Sequence, residues 1–333
     1  MRFCSLQKWL FLFCFLCCSG CKNPPTLAIF EGVAMTVPYQ ILVGKALNSR
    51  ECEQVHAIIE EVFCEIDRTY NKWNPASELS CINRADADIP IRLSEGLFVF
   101  LKRTESFVSL SQGRFDPTIE PLQQLWRAKL EDNTLPTAEE IASVSKAVGW
   151  HHICLERRSD GPYLIKTSAR TALDLGGIVK GYAVDLLVES MQAAGFSNIF
   201  VEWGGEIRTS GYHPEGRPWR AYIAHFEDRR PEEALAVIEL ENGSIATSGD
   251  YLQQWTVAGT HFFHLFDPQA LCPYRADHAS VASVTVRASD CTTADAIATI
   301  LLASRSLDEA TCRARALQAE GRITRFWIYT PGT

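Results

Sequence analysis

The chain has 333 residues, of which 47% are hydrophobic and 22% are charged, a composition typical of a folded globular protein. Its formal net charge of −8 argues against a nucleic-acid-binding surface, because such surfaces need clustered basic charge. The motifs GxxxxGK(S/T), GxGxxG, GxSxG and HExxH are absent, so P-loop, Rossmann, α/β-hydrolase and zincin chemistry have no support.

The first twenty residues are predicted to be a signal peptide of the lipoprotein type. Two basic residues precede a ten-residue apolar run, Trp9 to Cys18, which is too short to span a bilayer. The small residues before Cys21 resemble a bacterial lipoprotein cleavage site, so we expect Cys21 to be lipidated; a plain signal peptide or short anchor is the alternative. Removing residues 1–20 leaves 30 basic and 40 acidic residues, a net charge of −10. Residues 21–29 are expected to form a tether.

The chain from residue 30 to residue 330 contains no evident linker and is predicted to form one large α+β domain with two lobes, helical in its first half and strand-rich in its second. Val33 to Gly44 has the pattern of a strand. Helices are predicted over Arg50–Asp67, after the cap residue Ser94, and from the capping box of Thr137 and Glu140 to Gly149.

Beyond residue 150 the sequence changes to short apolar runs separated by turn residues, which is typical of strands. The predicted strands are HHICLER, PYLIKTS, TALDLGG, NIFVEWGG, RAYIAHF, LAVIELE, SIATSGD, QQWTVAG, HFFHLFD, ASVTVRA and ITRFWIY. Further helices are predicted over Tyr182–Ala194, across TTADAIATILLAS and from Leu307.

One turn in this half has the features of an anion-binding site. The chain is expected to leave a strand at Leu175, turn on Gly176–Gly177 and enter a helix whose first turn carries Lys180. Glycines allow close approach of the backbone, and a helix N-terminus offers free N–H groups. Lys180 is unfavourable against the helix dipole unless it reaches a phosphate. The alternative is an ordinary tight turn with the lysine in solvent.

A second stretch suits a hard cation. Asp295 and Thr299 are four residues apart in a predicted helix and therefore share one face, among small and apolar residues. Magnesium takes oxygen ligands and needs few from the protein when phosphates supply the others. Alternatively, Asp295 only complements the dipole near the start of its helix.

Four more stretches carry candidate polar residues. In VEWGGEIRTSG, a strand and a Gly-Gly break precede Glu206 and Arg208. GRFDPTIEPLQQLW is predicted to be a rigid loop, because prolines bracket Asp116 and Thr118. In SIATSGDY, small and hydroxyl residues precede Asp250. In HFFHLFDP, His264 alternates with apolar residues on a strand, where it is either a site residue or an ordinary core histidine.

Taken in order, these stretches resemble the ApbE-type FAD:protein FMN transferases, which are flavin-trafficking lipoproteins. The matching segments are SELSCIN, FDPTIEPL, DLGGIVKGYAVD, VEWGGEIR, IATSGDY, HLFDP and ADAIAT, and with Met35 they span the chain to Thr299. The chain departs from the family pattern where Met35-Thr36-Val37 replaces Met-Gly-Thr, where Trp73 replaces a frequent tyrosine, and where Trp126-Arg127 replaces Trp-Gly.

The resemblance implies an enzyme that takes FAD as substrate, binds Mg²⁺, transfers FMN to a threonine or serine hydroxyl of a partner flavoprotein and releases AMP. It implies that Asp295, Thr299 and the carbonyl of Gly177 ligate the metal. His264 is our candidate for the general base, because its ordinary pKa lies near neutrality, and Asp250 is the second candidate. The other residues implied to surround FAD are Met35, Trp73, Arg114, Phe115, Asp116, Asp174 and Lys180.

The implied acceptor is an exported subunit of a membrane redox complex of the sodium-translocating NADH:quinone reductase type. Together with a lipid on Cys21, this implies an enzyme on the periplasmic side of the bacterial cell envelope, anchored to a membrane. Two other functions stay open: magnesium-dependent hydrolysis of FAD to FMN and AMP, and non-catalytic flavin binding by a lipoprotein. A solute-binding lipoprotein is disfavoured, because no repeat of two α/β lobes is evident.

Overall fold

The computed structural model describes residues 26–224, 231–249, 254–257, 259–275, 281–304 and 306–330. Within these ranges the helices are α1 Ser49–Tyr70, α2 Glu78–Arg84, α3 Glu95–Ser111, α4 Glu120–Glu131, α5 Ala138–Ser145, α6 Val179–Ala193, α7 Cys291–Leu302 and α8 Leu307–Ala319. The strands are β1 Ala28–Ala34, β2 Val37–Val43, β3 Ile91–Arg92, β4 Ile153–Arg158, β5 Gly161–Lys166, β6 Ile199–Trp203, β7 Glu206–Ser210, β8 Trp219–Ile223, β9 Ala236–Leu240, β10 Gly243–Gly249, β11 Gln254–Val257, β12 Thr260–Asp267, β13 Cys272–Arg275, β14 Ser283–Ala288 and β15 Arg325–Tyr329. In this part of the chain, no helix combines the length and the apolar character needed to cross a bilayer.

A seven-stranded antiparallel sheet in the order β1-β2-β6-β7-β10-β14-β15 forms the centre of the fold. The central strands β6, β7, β10 and β14 are buried along most of their length. Since alternate side chains point to opposite sides, both faces of the sheet are covered there. On β10, Ala246 joins the core that includes α6 and α7, while the adjacent Ile245 packs with Trp219 and Leu240 of the β8–β9 pair. Helices therefore cover one face of the sheet and a two-stranded sheet covers the other.

Two smaller antiparallel sheets complete the fold. The sheet β11-β12-β13 packs on α4, where the ring centroid of Trp126 lies 5.7 Å from that of Phe262 and the Trp126 indole donates to the Leu271 carbonyl at 3.1 Å. The sheet β3-β5-β4 lies beside α3. The α+β class predicted from the sequence is confirmed, with α1–α5 preceding most of the strands.

Local signals placed several element boundaries correctly. Ser94 caps α3 by accepting from the Leu97 amide, and Thr137 with Glu140 forms the predicted capping box of α5. That helix ends at Ser145, four residues before the glycine expected to end it. The stretch Val33 to Gly44 is two strands instead of one, because the chain reverses at Met35 and Thr36, whose φ angles are 47° and 68°.

Two predictions of local structure were wrong. TALDLGG forms no strand: it bonds to the Asn83 side chain and to the Pro117 carbonyl instead of to a neighbouring strand. GRFDPTIEPLQQLW is largely helical, because its two prolines occupy first-turn positions of a 3₁₀ turn, Pro117–Ile119, and of α4. Proline is favoured in the first turn of a helix, because the N–H that it lacks would have no intrahelical partner there.

Candidate active site

A cavity of about 280 Å³ brings together most of the residues singled out in the sequence. It lies among the loop before α6, the N-terminal part of α6, one face of α7, the end of β10 and the middle of β12. The predicted site residues that line it are Arg114, Phe115, Asp116, Asp174, Gly177, Lys180, His264, Asp295 and Thr299. Met35 and Trp73 do not belong to its lining, and Asp250 and Cys21 lie outside the described residues.

The N-terminal turns of α6 and α7 are in direct contact at Gly181. A Cβ atom on Gly181 would lie against the carbonyl oxygen of Cys291 and 2.8 Å from Cβ of Asp295, so only glycine fits there. The Gly181 amide donates to Oδ2 of Asp295 at 2.9 Å. The positive end of the α6 dipole therefore stabilises a carboxylate of the protein itself. The sequence predicted free N–H groups for a phosphate here, and this one is occupied by Asp295.

Three oxygen atoms converge one helical turn beyond Asp295. The hydroxyl of Thr299 donates to the Gly177 carbonyl at 3.3 Å, and the Ser248 hydroxyl lies 3.3 Å from the same Thr299 oxygen. A Cβ on Gly177 would come within 3.2 Å of Thr299 Cγ2, so this glycine permits the close approach. The sequence singled out Asp295, Thr299 and Gly177 but not Ser248.

Asp185 of α6 holds the start of α7. Its carboxylate accepts from the backbone amides of Cys291 and Thr292, each at 2.8 Å, and pairs with Arg208 at 2.7 Å. These two amides belong to the first turn of α7, which has no intrahelical partner for them. The contact fixes α7 relative to α6, and Asp295 with it. Sequence reasoning gave Asp185 no role, because the α7 amides that it binds lie 106 and 107 positions away.

Lys180 points to the β6–β7 turn, where it donates to Glu206 at 2.6 Å and to the Gly204 carbonyl at 3.2 Å. Burial opposes its charge, but Glu206 and Asp295 outweigh that effect and raise the pKa of Lys180 above its usual value. Burial, opposed by Lys180 and assisted by Asp295, raises the pKa of Glu206 to about 8. Burial also raises the pKa of Asp295. An added cation would relieve this crowding of buried carboxyl groups.

Asp174 is paired with a lysine that the sequence analysis did not single out. Its Oδ2 accepts from Lys72 at 3.0 Å, its Oδ1 accepts from the Gly176 amide at 2.8 Å, and Lys72 also pairs with Glu120. Burial opposes ionisation of Asp174, but Lys72 and the Gly176 amide outweigh it and hold the pKa of that carboxyl below its usual value. Asp174 is therefore a fixed negative charge at the cavity.

Trp73 and Met35, the residues expected beside the flavin rings, are not part of the lining. The Trp73 side chain is 69% exposed, and both Lys72 Nζ and Arg127 Cζ lie 4.9 Å from its ring centroid. Two cations thus already use the π face that was expected to stack on the flavin. Met35 lies in the β1–β2 turn and packs against the main core.

Asp116 lines the cavity, but its carboxylate serves the loop. Oδ1 accepts from the amide and hydroxyl of Thr118, and Oδ2 accepts from the Trp150 amide at 3.1 Å. Phe115 lies between this loop and Gly177, since a Cβ on Gly177 would come 3.2 Å from its ring. The main contribution of these two residues is therefore to the shape of the cavity, because the Asp116 carboxylate is already bonded to Thr118 and Trp150.

Two nitrogen atoms at the cavity are buried with no hydrogen-bond partner among the described residues: Nδ1 of His264 and Nη1 of Arg114. The other end of the Arg114 guanidinium pairs with Glu309 at 2.8 Å. Burial, reinforced by the charge of Lys180, lowers the pKa of His264. Its imidazole is therefore neutral near pH 7 and able to accept a proton. Buried polar atoms without partners are uncommon and mark places where a ligand can bond.

What sequence reasoning missed is the pairing of distant residues. Glu206 was singled out but not its pairing with Lys180, which lies 26 positions away, and Lys72, the partner of Asp174 at 102 positions, was not singled out at all. No periodicity or spacing rule connects residues so far apart.

The family model described as ApbE family matches residues 35–319. The FAD:protein FMN transferase of Chlamydia pneumoniae is 41% identical over 300 residues, covering 90% of this chain and 92% of that protein. The solved flavin transferase ApbE from Vibrio cholerae is 28% identical with a TM-score of 0.78, covering 92% of this chain and 94% of its own. The apo flavinyl transferase ApbE of Pseudomonas stutzeri gives the same TM-score at 25% identity, with 93% and 92% covered.

Proposed function

The chain belongs to the ApbE family and is a flavin transferase, and we propose that it moves FMN from FAD to a threonine or serine hydroxyl of a partner flavoprotein with Mg²⁺ bound. The observation that carries this proposal is the meeting of Thr299, the Gly177 carbonyl and Asp295 in the same cavity as Lys180 and His264. That arrangement combines oxygen ligands, a fixed positive charge and a neutral base within one site.

The donor set fits magnesium. A hydroxyl, a backbone carbonyl and a carboxylate are hard oxygen ligands, and a diphosphate substrate would supply more. Burial raises the pKa of both Asp295 and Glu206, and Asp295 adds to the shift of Glu206; a divalent cation would relieve this accumulation of buried carboxyl groups. When bound, the ion would neutralise charge on the diphosphate oxygens and polarise the phosphorus to be attacked.

The protein's own residues would orient the reaction and handle its proton. The acceptor oxygen forms a bond to the phosphorus of the FMN half, and the bond from that phosphorus to the oxygen of AMP breaks. Nδ1 of His264 would take the hydroxyl proton, and AMP would leave with the electron pair. Lys180, whose pKa lies above its usual value, would stabilise negative charge on the diphosphate. Asp250 is the second candidate for the base and lies outside the described residues.

Around FAD, the proposal assigns Arg114, Phe115 and Asp116 to one part of the cavity lining and Asp174 and Lys180 to another. Arg114 contributes the buried Nη1 that lacks a partner in the described ranges, a donor suited to a phosphate oxygen. Met35 and Trp73 would contact the rings only where FAD extends beyond the 280 Å³ cavity. Such extension is expected, because ligands of this size occupy larger sites, on the order of 300–1,000 Å³.

Two other functions compete. If water replaces the acceptor hydroxyl, the same residues hydrolyse FAD to FMN and AMP. A non-catalytic flavin-binding protein would need neither the oxygen ligands nor a neutral buried base. His264 Nδ1, which has no bonding partner in the part of the chain that is described, favours catalysis over passive binding.

The partner and the location extend the proposal. We propose that the acceptor is an exported subunit of a sodium-translocating NADH:quinone reductase or a related membrane complex. Residues 1–20 would be removed as a signal peptide, and a lipid on Cys21 would anchor residues 30–330 through the tether on the periplasmic side of the cell envelope. Cys21 lies outside the described residues.

The test is the intact mass of a soluble acceptor domain after incubation with the protein, FAD and Mg²⁺. A gain of one FMN residue, lost with EDTA and lost when the acceptor threonine is changed to valine, supports the transferase. AMP and free FMN without a mass gain would indicate hydrolysis. FAD that stays intact and bound would indicate a passive carrier and overturn the proposal.

A further inference from the structure

The segment from Thr171 to Leu175 leads directly into the turn that supplies Asp174 and Gly177. Thr171 and Leu173 are fully buried and Leu175 is 1% exposed, yet no strand pairs with this segment in the described part of the chain. Buried backbone N–H and C=O groups need partners, and without a strand they must come from elsewhere.

Asn83, in the last turn of α2, supplies them. Its Oδ1 accepts from the Leu173 amide at 2.7 Å and its Nδ2 donates to the Leu173 carbonyl at 3.0 Å. The side-chain amide thus makes the two bonds that a residue of a neighbouring antiparallel strand would make. This pair fixes the register of the segment one residue before Asp174.

Lys166, at the end of β5, holds Asn83 and the segment together. Its side chain is fully buried, and Nζ donates to the carbonyls of Asn83, Ala169 and Thr171 at 3.0–3.2 Å. Three carbonyl oxygens satisfy all three N–H bonds of the ammonium. The backbone at the end of α2 is therefore tied to the same chain that Asn83 contacts through its side chain.

The same helix also positions the cation opposite Asp174. Ser80, three residues before Asn83 and so on the same side of α2, donates to the Lys72 carbonyl at 3.0 Å. Lys72 in turn pairs with Asp174. Thus α2 contacts both the backbone that precedes Asp174 and the residue that neutralises its side chain, although α2 itself does not line the cavity.

We propose that Asn83, held by Lys166, is a positioning residue for the transfer reaction, which sets where Asp174 and the Gly177 carbonyl lie in the cavity. The proposal rests on the proposed function, since it assigns the Gly177 oxygen to the metal. A shift of the segment by a fraction of an ångström would move that oxygen relative to Thr299, which lies 3.3 Å from it. Misplacement by about 1 Å can cost a factor of about 100 in rate.

The test compares Asn83→Ala, which loses both bonds, with Asn83→Asp, which keeps the acceptor for the Leu173 amide but cannot donate to its carbonyl. We expect kcat to fall about 100-fold in the alanine variant and about 10-fold in the aspartate variant, in line with the cost of misplaced reacting groups. The Mg²⁺ concentration for half-maximal activity should rise in the same order. A role limited to stability would lower the melting temperature without changing the Mg²⁺ requirement of the folded enzyme.

The matched control is Asn198→Ala, which removes a side-chain acceptor for the Tyr212 amide at a distant turn. It should keep the wild-type kcat and Mg²⁺ requirement. If folded Asn83→Asp enzyme also keeps both, the positioning role is refuted.

If the wild-type protein transfers no FMN at all, the proposed function fails, and amide hydrogen exchange decides the positioning role. Amide exchange between Leu173 and Gly177 must then be at least about tenfold faster in Asn83→Ala than in the wild type, and unchanged in Asn198→Ala. Equal exchange in the two variants would refute the positioning role.

Discussion

The cavity contains two sets of polar groups that differ in how fully the protein satisfies them. The first set is the helix-end cluster, formed by Gly177, Lys180, Asp295 and Thr299. Its polar groups are hydrogen-bonded within the protein: Asp295 to Gly181, Lys180 to Glu206, and Thr299 to Gly177. By contrast, the two open nitrogens, Nδ1 of His264 and Nη1 of Arg114, lack partners within the described ranges.

The helix-end cluster is therefore already hydrogen-bonded in the folded protein, whereas the two open nitrogens can complete their hydrogen bonds only with a ligand. Groups held by the protein's own bonds need not reorganise when charge develops, which is the main source of electrostatic catalysis. A buried polar atom without a partner costs about 1–3 kcal/mol, which a ligand atom that bonds to it can recover. We infer that the helix-end cluster is built to hold a cation and a diphosphate, while the open nitrogens recognise the reacting phosphoryl group and the acceptor.

The largest expected effect comes from removing the carboxylate of the helix-end cluster. Asp295→Asn keeps the side-chain shape but loses the charge, and we expect transfer activity to fall by about 10³-fold, because the charge stabilisation that a metal ion supplies is worth several kcal/mol. The rate of flavin transfer at saturating FAD measures it.

The control for that change is Asp308→Asn, an exposed aspartate in the first turn of α8. It should leave the rate and the Mg²⁺ dependence unchanged. Wild-type turnover in folded Asp295→Asn enzyme would remove Asp295 from the site.

A smaller loss is expected from His264→Ala. Loss of a general base typically costs about 10²- to 10⁴-fold, and we expect the lower half of that range because water can replace part of the function. Burial lowers the pKa of His264 from its ordinary 6.5, so the wild-type rate should rise with pH through a value below 6.5 and then level off. The pH profile of kcat/KM measures this limb, which the variant should lack.

His261→Ala is the matched control, because His261 is exposed on the same strand and bonds to Thr256. It should keep both the rate and the acidic limb. If His264→Ala retains the limb, another group carries the proton, and Asp250 becomes the first candidate.

The contact between α6 and α7 can be broken sterically. Gly181→Ala places a methyl group against the Cys291 carbonyl, and we expect a loss of about 1–3 kcal/mol in the free energy of unfolding, typical of overpacking. Because α7 carries Asp295 and Thr299, activity should fall further than that of an equally destabilised enzyme. Denaturant unfolding and transfer rates measure the two effects.

Gly243→Ala provides the comparison, since the nearest atom to its added Cβ would lie 3.8 Å away. It should change neither stability nor rate appreciably. If Gly181→Ala has the same stability and transfer rate as Gly243→Ala, the close contact between α6 and α7 is not needed for either property.

The smallest effect is expected in the β1–β2 turn, at a residue that does not line the cavity. Thr36 has a φ of 68°, a region unfavourable for a β-branched residue, at a position where the family pattern has glycine. Thr36→Gly should raise the free energy of unfolding by about 0.5–1 kcal/mol, because relief of strain exceeds the entropy cost of glycine. Thermal unfolding measures the gain.

Thr134→Gly is the control, because Thr134 is exposed in a loop and is not among the residues with positive φ. It should lower stability slightly. Equal losses in both variants would mean that Thr36 is not strained.

The parts of this account that the sequence predicted are those fixed by local rules. Helical spacing placed Asp295 and Thr299 on one face, and capping chemistry placed the start of α3 at Ser94. The parts that it missed depend on distant contacts. Gly181 needs to be glycine only because α7 passes against it, and TALDLGG was mistaken for a strand because the Asn83 side chain supplies the bonds of a missing neighbour. Spacing along the chain carries no information about such pairs.

The most direct test is a crystal structure of the protein with Mg²⁺ and FAD. We predict that the ion contacts Asp295, Thr299 and the Gly177 carbonyl, that α6 and α7 keep their present contact, that Nη1 of Arg114 donates to the diphosphate, and that Nδ1 of His264 lies beside it. An ion bound elsewhere, with the diphosphate away from His264 and Arg114, would contradict this prediction.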